Sequence, residues 1–258
     1  MSLPCPVTDL DGLAGLGPYF AVSTHGRHSV VRGPWVLLRS LLDTPEALRD
    51  RSTEVRAALA GGSGLRPGAV EFRVAVSVAH LGLVARLLSP AIGAVVSAGR
   101  QLTVDPARVW WQPVLGGPVP LSFPADALAP VLSGAPGDFG RAVGPLRETV
   151  LAGPVRRLTE LAGELSLSPQ VAWGNVASAI NGSGAMIARG TPGLAARAQE
   201  TCSALLRYGP LRQASTGRPA AAGFRRRSCC LIYRVSAGGQ AAYCGDCILG
   251  PPGHTAGD

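Results

Sequence analysis

Apolar positions recur along this chain mostly at helical spacing, and four candidate helices open in one idiom. Thr44-Pro45, Ser89-Pro90, Ser168-Pro169 and Thr191-Pro192 each pair a hydroxyl side chain with a proline. The hydroxyl caps orphan amides at a helix start, and proline has no amide there to lose. The first helix is expected from Glu46 to about Ala60, ending at Gly61-Gly62. Upstream of the second, Phe72, Val76, Ala79, Leu83 and Leu87 share one face. They predict a helix from about Val70 to Leu88, with another restarting at Ser89-Pro90. The third carries Val171, Val176, Ile180 and Ala185 and is expected to break near Gly182–Gly184. The fourth runs to about Leu206, before Gly209-Pro210.

Two stretches change to β patterning. RVWWQPV and PVPLSF flank Leu115-Gly116-Gly117 and predict a hairpin. Later, LIYRV alternates ahead of Ser236-Ala237-Gly238-Gly239, and AAYC follows. The segment ASTGRPAAAG (214–223) reads as the loop that joins the body to this end of the chain. The expected fold class is α+β: a mainly helical body, a central β-hairpin and a small C-terminal, cysteine-bearing β-hairpin. Residues 1–213 would form the body and 224–250 the cysteine segment.

Composition narrows the classes of function. With 47% hydrophobic and 16% charged residues, the 258-residue chain has the makings of a substantial core. The net charge of +8 comes from arginine alone, since there is no lysine. That usage fits a GC-rich genome. No dense basic block is present and few aromatics interleave with the arginines, so no nucleic-acid partner is expected. The start, MSLPCPVTDLDGL, has acidic residues where an export signal has basic ones. A cytoplasmic protein is expected, in which thiols stay reduced. Val74–Ala98 is the one membrane-like run, but it contains His80, Arg86 and Pro90. Buried helices explain it better than an integral membrane span.

Chemistry concentrates at four cysteines. Cys229-Cys230 is followed by thirteen residues and then by Cys244-Gly245-Asp246-Cys247. Four thiols this close suit zinc, an iron–sulfur cluster or two disulfides, and spacing alone does not choose among them. Adjacent side chains on a strand face opposite ways, so the Cys229-Cys230 pair needs a local kink to act together. Arg225, Arg226 and Arg227 precede the pair and Arg234 follows it. Guanidinium groups there would favour a negatively charged centre, or an anionic substrate or donor.

RRxSCCLIYR followed by CGDC resembles the C-terminal signature of the FhuF-like ferric siderophore reductases. HLGLVARLLSPAIGAV from His80, VWWQPVLGGPVPLSF from Val109, and Trp173-Gly174-Asn175-Val176-Ala177-Ser178 also resemble family segments in order. The resemblance covers about Ala69 to Leu249. It implies a [2Fe–2S] cluster ligated by Cys229, Cys230, Cys244 and Cys247, with Arg225 to Arg227 shaping its electrostatic surroundings. It also implies a ferric-chelate reductase that passes one electron, outer-sphere, to siderophore-bound Fe3+. Its partners would be a ferric siderophore, hydroxamates being one class, and a protein electron donor such as a ferredoxin or flavoprotein reductase. The interval between cysteine pair and knuckle is three residues longer than the family pattern, an excess that falls in the Ser236–Ala242 turn. A zinc-stabilised binding module and a generic [2Fe–2S] electron carrier are the alternatives.

Other residues carry plainer expectations. Cys5 and Cys202 stand apart from the signature. His25, His28 and His254 sit in apparent loops or termini. His80 is expected as a core or pocket histidine, and Trp110, Trp111 and Trp173 as core aromatics. Asn175, an amide in an apolar helix, must find partners. No nucleotide fingerprint appears, so electrons are expected from another protein.

Overall fold

The computed structural model describes residues 10–130, 139–235 and 243–250. Its elements begin with a 3-10 turn at Asp11–Leu16, β1 (Ser23–His25), β2 (Val36–Leu37), α1 (Arg39–Leu42) and α2 (Glu46–Gly62). Then come α3 (Phe72–Ala98), β3 (Arg100–Leu102), β4 (Trp110–Trp111), β5 (Leu121–Pro124) and β6 (Leu128–Pro130). The second half contains α4 (Phe139–Leu146), a π-helical stretch at Arg147–Val155 and α5 (Arg156–Glu164). It continues with α6 (Pro169–Gly190), α7 (Ala195–Leu206) and the short strands β7 (Ser215–Thr216) and β8 (Arg225–Arg226). The α+β class holds, with helices dominant.

The core forms around α3, which packs most extensively on α6 and α2, while α6 packs on α7. By length and composition α3 could cross a membrane, yet 72% of its most apolar window is buried inside the fold. It is one helix, not two. Ser89 does not cap a new start; its hydroxyl turns back to the Ala85 carbonyl (2.7 Å) and meets Ser183 Oγ of α6 (2.9 Å). Pro90 forfeits one helical hydrogen bond, but the residues around it, Leu87 to Val96, are all buried, and that apolar burial outweighs the loss.

The expected break in α6 is also absent. Gly184 lies where an added Cβ would be 2.7 Å from Cys202 Sγ and 3.0 Å from Ala220 Cβ. The glycine allows close packing of α6 on α7 and the following loop rather than ending the helix. Ser168 does cap α6, accepting from the Val171 amide at 3.3 Å.

The central hairpin is present as antiparallel β4–β5, extended into a four-stranded sheet ordered β1-β5-β4-β2, in which β1 runs parallel to β5. Arg86 ties this sheet region to α3 by donating to the carbonyls of Val119 (2.6 Å), Ala21 (2.9 Å) and Tyr19. A C-terminal hairpin is present too, as β7–β8, immediately ahead of the cysteines. Gly217 makes its turn at φ 77°, where a Cβ would lie 2.3 Å from the Gly223 carbonyl oxygen. The alternating segment LIYRV is not a strand: Ile232–Val235 is a 3-10 turn. Val235 packs with Ala60, Val70 and Val74, and Leu231 bridges that cluster and the main core. The Ser236–Ala242 turn lies outside the described residues, as do Cys5 and His254.

Candidate metal centre

The cysteine segment lies on α3 and α6, each of which contributes polar groups from an otherwise apolar face. Ser77 on α3 donates to the Cys230 carbonyl at 2.8 Å. Asn175 on α6 donates to the Ser77 carbonyl (3.0 Å) and hydroxyl (3.1 Å) and contacts His80 Nδ1 at 3.4 Å. Its own side-chain oxygen accepts from Arg226 Nη2 at 2.8 Å. Ser77, His80, Asn175 and Arg226 are all buried. This chain of bonds explains two letters of WGNVAS. Asn175 supplies the amide, and Gly174 supplies space: a Cβ there would lie 2.2 Å from Ser228 Oγ and 2.9 Å from Arg226 Nη2.

The kink that adjacent cysteines require is at Leu231, which adopts φ 72°. A branched residue there is strained. The turn directs the Leu231 amide back to Cys229 Sγ at 3.2 Å. The knuckle closes through the Cys247 amide on the Cys244 carbonyl (2.9 Å), and the Leu249 amide points to Cys247 Sγ at 3.3 Å. Asp246, inside the knuckle, is held from both sides. Asn181 of α6 donates to its carboxylate (2.8 Å), and the Arg226 amide donates to its carbonyl (3.1 Å). Burial pushes the Asp246 carboxyl upward, and the facing Ser178, Arg226 and Asn181 oppose that shift.

The four thiols interact. A hydrogen bond between Cys230 and Cys244 sets their order of ionisation: it is the largest influence holding Cys230 at about 6 and driving Cys244 far up. The Ile232 amide and the charge of Arg226 also favour the Cys230 thiolate. Burial pushes Cys229 up, and its sulfur feels both Cys230 and Cys247. Cys230 and Cys247 are buried, while Cys229 and Cys244 are half-buried. As the side chains stand, no three of the described His, Cys, Asp or Glu groups gather tightly enough to hold one metal ion.

Residues 226–247 match the family model of the FhuF 2Fe-2S C-terminal domain. This segment is similar to the FhuF 2Fe–2S C-terminal domain. The match spans all four cysteines and supports a [2Fe–2S] cluster. No curated protein matches the chain. The matched segment suits such a group on its own geometry: amides aim at sulfur, as iron–sulfur sites use to tune their thiolates. Arg226 keeps two buried nitrogens, Nε and Nη1, without a partner among the described residues.

The three arginines read together in the sequence have three different placements. Arg225 is half-buried and bonds the carbonyls of Cys247 (3.2 Å) and Gly250 (2.8 Å). Arg226 is buried, and Arg227 is exposed. Arg234 leaves the site to pair with Glu71, just ahead of α3. Cys202 is buried, donates to the Ile180 carbonyl and is pushed up to about 12 by burial. His80 is a core histidine, pushed down to about 3 by burial, with a second contact to Thr159 (3.2 Å). His25 lies in β1, stacked on Trp110 at 3.7 Å and bonded to Ser122 at 2.8 Å. His28 is exposed. Trp110 and Trp111 are buried, and Trp173 is half-buried beside Tyr208.

Ser77, Gly174, Asn181 and Asp246 were not singled out from the sequence. A charge between two cysteines and a glycine beside a core amide were the available signals.

Proposed function

We infer that the protein reduces siderophore-bound ferric iron through a [2Fe–2S] centre held by Cys229, Cys230, Cys244 and Cys247. The FhuF match over 226–247 carries this reading, and the hydrogen bond between the Cys230 and Cys244 thiols supports the ligand set. Bound there, the centre supplies one electron at a time.

The chain's own residues do the rest. The half-buried Cys229 and Cys244 keep the site near the surface, so the electron passes without a bond between protein and chelated iron. Arg227, exposed beside the pair, attracts an anionic chelate or donor. The amides of Leu231 and Leu249 stabilise sulfur charge. Siderophore oxygens are hard ligands that favour Fe3+. One added electron weakens those bonds, and the iron exchanges out. On this reading residues 1–213 receive the siderophore and 224–250 the cluster. A ferredoxin or flavoprotein reductase supplies electrons in the cytoplasm.

Anaerobic purification followed by an absorption spectrum and iron, sulfide and zinc counts tests the reading, with reduction of a ferric hydroxamate as the next assay. Visible charge-transfer bands, paired iron and sulfide, and saturable ferric-chelate reduction are expected. A colourless chain carrying zinc would instead make it a binding module. A cluster without saturable chelate binding would make it an electron carrier.

A further inference from the structure

Of the three buried arginines described, Arg51, Arg86 and Arg226, the two deepest differ in how they are satisfied. Arg86 gives each of its three nitrogens to a backbone carbonyl; it is a structural cation. Arg226, only 1% exposed, uses Nη2 alone, on Asn175 Oδ1 (2.8 Å) and the Val171 carbonyl (3.2 Å). Its Nε and Nη1 are buried without a partner among the described residues. Burying a guanidinium with two unmet donors costs several kcal/mol unless an anion answers it.

The fold pins this cation in place. Gly174 lets the guanidinium lie against α6: an added Cβ would sit 2.9 Å from Nη2 and 3.3 Å from Nε. On the other side runs the cysteine segment, whose knuckle carbonyl at Asp246 accepts from the Arg226 amide at 3.1 Å. No Asp or Glu is among the buried charged residues described. The half-buried carboxylate facing Arg226, Asp246, accepts at Oδ1 from Asn181 (2.8 Å).

We propose that Arg226 is the fixed counter-charge of the cysteine site: clamped by Asn175 against Gly174, it sets the reduction potential of the centre and retains the centre in the fold. This rests on the site being a [2Fe–2S] centre. A four-thiolate centre is doubly negative when oxidised and gains one more negative charge on reduction. A buried cation therefore stabilises the reduced form more and raises the potential. The exposed Arg227 is screened by solvent and contributes little by comparison.

The test uses the full chain, anaerobically purified, as wild type, Arg226→Met and Arg226→Lys. Iron and sulfide per chain are counted first, and the potential is then measured by optical redox titration. Arg226→Met should shift the reduced-to-oxidised ratio at fixed potential at least tenfold toward oxidised, about 59 mV for one electron. Arg226→Lys should lie between Met and wild type. A loaded Arg226→Met protein with less than a tenfold shift overturns the proposal. If Arg226→Met fails to load, Arg226→Lys decides. Loading of the lysine variant supports a charge requirement, and failure of both overturns it in favour of packing. A wild-type chain without paired iron and sulfide refutes the cluster reading itself, which is a separate outcome.

Discussion

The hydroxyl of Ser77 donates a 2.8 Å hydrogen bond to the carbonyl of Cys230, joining residues 153 positions apart. It anchors the cysteine pair to the most buried helix of the fold. Ser77→Ala strands the Cys230 carbonyl and removes one of the Asn175 contacts. Leaving a buried acceptor unpaired costs about 1–3 kcal/mol. Thermal unfolding should move down by about 2–4 °C for each kcal/mol in a chain of this size, with faster loss of bound iron.

The ligand assignment is tested by single substitutions. Cys229→Ala and Cys247→Ala should each lose the [2Fe–2S] absorption and its iron. Cys202→Ala should keep both, because that thiol is buried on Ile180, away from the segment. Cys5→Ala should keep both as well. A full cluster in Cys229→Ala or Cys247→Ala refutes the ligand set.

Two glycines of α6 separate packing from propensity. A Cβ at Gly182 meets nothing within 4 Å, whereas one at Gly184 runs into Cys202 and Ala220. Gly182→Ala should stabilise by about 0.5–1 kcal/mol. Gly184→Ala should destabilise by about 1–3 kcal/mol through overpacking. Denaturant midpoints of the two variants should move in opposite directions.

His80 predicts the acid limb of stability. Its folded value, pushed down to about 3 by burial, lies below the ordinary histidine value. Between these values the unfolded chain binds a proton that the folded chain refuses. Stability therefore falls as pH drops from about 6.5 toward 3, by up to about 1.4 kcal/mol per pH unit from this residue. His80→Gln should flatten that slope relative to wild type in urea titrations at pH 7, 6, 5 and 4. An unchanged slope would show that His80 is not the buried neutral group.

The sequence by itself determined the helical body, the β4–β5 hairpin and the four thiols. Each is written locally: a capped start such as Ser168-Pro169, an aromatic strand beside Gly116-Gly117, and cysteines within nineteen positions of one another. It misjudged Ser89-Pro90 and Gly182–Gly184, because local breaker signals act on a helix only until its burial outweighs them. It read LIYRV as a strand because alternation does not reveal where the two faces go. Tertiary structure alone decided that Leu231 bridges the main core and the smaller cluster that Val235 enters. It also separated Arg225, Arg226 and Arg227, identical letters in a row, into a carbonyl clamp, a buried cation and a solvated charge. Desolvation and partner geometry depend on the approach of α3 and α6 from distant parts of the chain, and no local pattern encodes that approach.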